Sequence, residues 1–210
     1  MDSYSRENLI QKEIQKSDGR FAKKNPSCRT FAVVALEGQE AVPVLLRSYL
    51  HHESKRENQD SMSMASIWDV CRATMGVPPL FSQVNMVSRA VTPHNHMNPT
   101  ELAYQEAHTI WKNCQFRVVS IGGGTFPEKL WNYHSMLCSS YSEAREVHGR
   151  MKDTLASSKL EDQYFRLNVE SVGAGFDKWD KDNVTNVRKL TKAYEESGIV
   201  ASCRLTITSR

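Results

Sequence analysis

His94 and His96, two residues apart, are the first place in this chain to look for chemistry. Imidazole is a common metal ligand and accepts a proton from a hydroxyl nucleophile near neutral pH. Nothing beside the pair completes such a site, because from Ser82 to Thr100 the chain contains no Asp or Glu. A loop without metal is the expectation. Gly122-Gly123-Gly124 follows an apolar stretch, where a phosphate-binding turn would stand. The Walker pattern requires a Gly-Lys-Ser/Thr ending and the dinucleotide pattern Gly-x-Gly-x-x-Gly. Neither is present, Pro127 and Trp131 come next, and the triplet reads as a structural turn. Cys71 and Cys138 are nucleophiles by residue type, yet neither has a sequence neighbour that would lower its pKa. Cys71 falls on the apolar face of a helix, where a thiol packs as a small hydrophobe. Tyr141 to His148 is charged at helical spacing and reads as a solvated helix face. No Gly-x-Ser-x-Gly elbow occurs anywhere. No catalytic, cofactor-binding or metal-binding residue is therefore assigned.

The elements that would position any site follow from periodicity. Residues 6 to 16 put Leu9, Ile10 and Ile14 at helical spacing, and a polar linker runs from there to residue 27. Thr30 to Leu36 is β-branched and nearly all apolar, as in a strand buried on both faces. Residues 51–65 read as an exposed polar loop. Ser66 caps a helix with Asp69 completing a capping box, and Ile67, Val70, Cys71 and Met75 share one face. Asn98-Pro99-Thr100-Glu101 is a second helix start, with Glu101 expected to reach back. That helix is expected to turn Ala103, Ala107, Ile110 and Trp111 inward. Phe116 to Ile121 follows as a strand. Leu130 to Ala156 reads as helix, Tyr164 to Val169 as strand and Asp182 to Ser197 as helix with Val184, Val187, Leu190 and Tyr194 inward. Cys203 to Thr208 reads as a last short strand. The alternation indicates an α/β domain over residues 28–210.

Composition sets the outer limits. The chain has 210 residues, 40% hydrophobic and 24% charged, enough apolar matter for a core and one domain of ordinary size. A formal charge of +3 is small for this length and does not imply nucleic acid. The densest basic stretch, Arg20 to Lys24, suits a solvated linker and offers peripheral contact to anionic head groups. Five widely spaced cysteines leave one unpaired in any full disulfide scheme. Reduced thiols and a cytoplasmic location are the expectation.

Several blocks in order carry a family resemblance. They are Cys28-Arg29-Thr30-Phe31-Ala32-Val33-Val34, Val44-Leu45-Leu46-Arg47-Ser48-Tyr49, Ile67 to Thr74 with Pro78-Pro79-Leu80-Phe81, and Asn98-Pro99-Thr100-Glu101-Leu102-Ala103 with Glu106-Ala107. Together they resemble consecutive blocks of fungal patatin-like phospholipases. Val118 to Gly124 is similar to that family's strand ending in Ile-Gly-Thr-Gly, with Gly123 in place of Thr, and Tyr164 to Val169 and Trp179 fit its closing section. The match covers most of residues 28 to 200.

The resemblance implies a three-layer α/β sandwich, a mostly parallel sheet with flanking helices, whose N-terminal half is missing here. It implies acyl-ester hydrolysis of glycerolipids and phospholipids by a Ser-Asp dyad without cofactors. In the family the Ser stands on a nucleophile elbow and a glycine-rich loop supplies the oxyanion donors. The family's acid falls on Val91. Nucleophile, base and oxyanion loop are thus all lacking, and removing one member of such a unit already slows the reaction by orders of magnitude. The expectation is an inactive truncated or degenerate member. Its alternatives are a fragment of a longer active phospholipase, or a pseudoenzyme that binds lipid or protein. An uncovered strand edge is expected to promote self-association or capture of a partner protein.

Overall fold

The computed structural model describes residues 8, 11–12, 19–21, 27–49, 65–75, 84–86, 89–92, 96–124, 135–169 and 181–208. The chain divides into two compact units, Met1–Met97 and Asn98–Arg210. The expected helix over 6–16 falls mostly outside the described residues, although Asn8, Gln11 and Lys12 are helical. Of the polar loop 51–65 only Ala65 is described; its carbonyl accepts the Phe21 N–H.

The first unit is built on a hairpin. Strand β1 (Phe31–Leu36) turns through Glu37 and Gly38 into β2 (Gln39–Arg47). Gly38 has φ +77°, the left-handed conformation that a tight hairpin turn requires and glycine adopts without penalty. A connection of two residues cannot make the crossover that parallel strands need, so the pair is antiparallel, Phe31 opposite Arg47. Strands β3 (Val84–Met86) and β4 (Arg89–Thr92) complete an antiparallel sheet in the order β2-β1-β4-β3. Val91 pairs with Leu36 and Val84 within it.

This corrects the expectation of a mostly parallel sheet holding both Phe31–Leu36 and Phe116–Ile121: the two segments lie in separate sheets, and only the second contains a parallel pair. The Glu37-Gly38 turn was the missed signal. Burial of β1 on both faces does hold, since Val33 to Leu36 are buried at four successive positions. Helix α1 (Ile67–Met75) packs on this sheet, and Val34, Leu36, Leu46, Val70 and Ala73 form the core. Its start is the expected capping box: Ser66 Oγ accepts the Asp69 N–H at 3.1 Å, and Asp69 Oδ2 accepts the Ser66 N–H at 2.9 Å.

The second unit holds α2 (Thr100–Ile110), β5 (Val118–Ile121), α3 (Ser135–Ser157), a 3-10 turn (Glu161–Gln163), β6 (Tyr164–Leu167), α4 (Lys181–Glu195) and α5 (Gly198–Thr208). β5 and β6 pair in parallel, Val118 beside Tyr164 through Ile121 beside Leu167. Val147, Met151, Leu155 and Tyr164 form the core, with Tyr104, Val118 and Leu160 packed against it.

Three local expectations are corrected here. Glu101 does not reach back to cap α2; its carboxylate pairs with Arg150 of α3 at 2.9 Å. The inward face of α2 is only partly the expected one: Ala107 and Ile110 are half-buried, but Ala103 is exposed and Trp111 44% exposed, whereas Thr100 and Glu106 are buried. Cys203 to Thr208 is helix rather than strand, because Val200 and Cys203, three residues apart, bury together on one helical face and packing overrides the β-branched composition. Within α4, Val184, Val187 and Tyr194 are half-buried, while Leu190 is exposed.

Among the described residues no helix is long and apolar enough to cross a membrane.

Candidate functional site

The richest polar cluster lies on one face of the β5-β6 pair, beside the start of α2. β5 supplies Ser120, β6 supplies Tyr164 and Arg166, the start of α2 supplies Asn98 and Thr100, and α3 supplies His148. Strand alternation explains the grouping, since Ser120 sits beside Arg166 in register and Tyr164 is two residues before it on the same face.

Donor and acceptor roles can be assigned one by one. The Thr100 backbone N–H can only donate, so the Asn98 atom it meets at 3.3 Å is the oxygen, and Asn98 Nδ2 donates to the Ala144 carbonyl at 3.0 Å. Thr100 Oγ1 also donates to Asn98 Oδ1, at 2.6 Å. In the 2.6 Å contact between Thr100 Oγ1 and Ser120 Oγ, Ser120 is therefore the donor. Arg166 Nη1 donates to Ser120 Oγ at 2.6 Å, and His148 Nδ1 lies 2.8 Å from the Tyr164 hydroxyl oxygen. The Ser120 and Thr100 hydroxyls thus donate in one direction, toward Asn98.

Two groups in this chain are electrostatically shifted. Burial lowers the His148 pKa, and the Arg166 and Lys152 charges lower it further. Burial raises the Tyr164 pKa, opposed by Arg166 and by the Ser120 hydrogen bond. The turn after β5 is hydrogen-bonded as well. Gly122 N donates to the Leu167 carbonyl at 2.8 Å and Gly124 N to Asn168 Oδ1 at 3.0 Å, while Asn168 N donates to the Tyr194 hydroxyl at 3.1 Å. The glycine triplet is thus the structural turn expected, with its Gly122 and Gly124 amides engaged by the protein.

His148 is the clearest residue that sequence reasoning missed. It reads as part of a solvated helix face, but it is half-buried beside Tyr164, one position after buried Val147. Ser120, Tyr164 and Arg166 were missed too; polar residues spaced to share one strand face inside an apolar run were the available sign. Of the residues singled out from sequence, His94, Asn95 and the Cys138 side chain lie outside the described residues, and His96 is half-buried. Cys71 is half-buried with its pKa raised by burial, in keeping with a packed thiol. Among the described residues no group of three His, Cys, Asp or Glu is arranged to hold a metal.

One serine hydroxyl does meet a carboxylate. Ser66 Oγ donates to Asp69 Oδ2 at 2.7 Å. Both residues belong to the capping box, and the surrounding amides are engaged: Ile67 N with the Gly19 carbonyl, Asp69 N with Ser66 Oγ and Val70 N with the Ser66 carbonyl. These donors are committed to starting a helix.

No protein-family model matches this chain, and no curated protein matches it.

Proposed function

We propose that this chain is a patatin-like domain that has lost acyl-ester hydrolysis, and that its remaining role is to bind a lipid surface or another protein. The observation that carries the reading is the direction of the Ser120 and Thr100 hydroxyls on the β5-β6 face. Ser120 gives its proton to Thr100 and accepts from Arg166, so neither a carboxylate nor His148 withdraws that proton. A serine nucleophile requires a base that accepts from it, and here the His148 imidazole meets the Tyr164 hydroxyl instead. The resemblance of Asn98 to Ala103 and of Val118 to Gly124 to the family blocks supplies the rest of the reading.

Uncovered sheet surface supports an association role. β2 is an edge strand of its sheet, with Val42 exposed, and on β5 Ile121 is 77% exposed. Parallel strands are ordinarily covered on both faces, so the exposed Ile121 side chain marks contact surface, while β2 offers an open strand edge.

The purified chain is expected to hydrolyse p-nitrophenyl butyrate and a lysophospholipid no faster than its heat-denatured control. Turnover well above that control, abolished in S120A, would sink the proposal.

A further inference from the structure

We draw no further inference here: the strongest candidate, the aromatic cluster at the end of α2 where Tyr104, His108 and Phe116 meet edge to face beside the exposed Trp111, is a surface patch that carries nothing, because nothing among the described residues shows what covers it.

Discussion

Asn168 occupies the space that a Cβ on Gly122 would need, while its Oδ1 accepts the Gly124 N–H at 3.0 Å. One side chain thus closes the turn after β5 by exploiting the absence of another. Gly122→Ala forces Asn168 aside, crowds Arg166 and leaves the Gly124 amide without its acceptor. A lost part-buried hydrogen bond together with local strain is worth about 1–2 kcal/mol. A urea midpoint for G122A within error of wild type would show that the turn is looser than drawn.

In the first unit, Ser66 and Asp69 cap α1 reciprocally, each accepting the other's backbone N–H. Ser66→Ala is expected to cost about 1 kcal/mol, and Asp69→Ala a similar amount. Because the two side chains also bond to one another, the double variant should cost less than the sum. Strict additivity in a double-mutant cycle would mean that the two caps act separately.

What the sequence disclosed and what it concealed have a common cause. Ser66 with Asp69 and the strand run at Phe31 to Leu36 were legible because their signals are local: a spacing of three residues, and a continuous apolar stretch. The antiparallel sheet was also written locally, in Glu37-Gly38, but a buried-looking strand in an α/β pattern drew the reading toward parallel pairing. Cys203 to Thr208 misled for the opposite reason, since its β-branched composition gives way to packing by Val200 and Cys203. The cluster on the β5-β6 face was illegible in principle. Thr100, Ser120, His148 and Arg166 lie far apart in sequence, and only the pairing of β5 with β6 and the docking of α3 bring them together.

The lowered His148 pKa fixes how stability depends on pH. In the folded state the group titrates below its ordinary value of 6.5, because burial and then Arg166 and Lys152 disfavour its charge. The unfolded chain therefore takes up the proton first as pH falls. Its contribution is complete above the unfolded value and is lost progressively below it, until the folded group also protonates. Urea midpoints should fall between about pH 7.5 and pH 5.5, and that fall should be shallower in H148Q by the His148 share. Parallel profiles for the two proteins would remove His148 from the linkage.

Thiol reactivity offers an independent check on the packing. Cys28 and Cys114 are exposed, whereas Cys203 is buried and the raised pKa of Cys71 reduces its thiolate. Alkylation by iodoacetamide near neutral pH, mapped by mass spectrometry, should label Cys28 and Cys114 about tenfold faster than Cys71 or Cys203. Cys71 reacting as fast as Cys114 would mean that α1 does not pack on its sheet as described.

The end of α3 is a helix terminus whose geometry works against its residue. Leu160 N bonds to the Leu155 carbonyl at 2.8 Å and Lys159 N to the Ala156 carbonyl at 3.0 Å, the paired bonds of a Schellman motif. Leu160 packs against the core cluster that contains Leu155, supplying the apolar contact that accompanies the motif. The position between them needs the left-handed conformation, and Lys159 adopts it with φ +56°. A side chain there costs roughly 1–2 kcal/mol, which glycine avoids. Part of that gain is offset because glycine also frees the unfolded chain. Lys159→Gly is therefore expected to stabilise the protein by about 0.5–1 kcal/mol, seen as a higher urea midpoint at unchanged slope. Lys159→Ala, which keeps the Cβ, should give little of this, so an equal gain from alanine would trace the effect to the lysine's charge and not to its backbone.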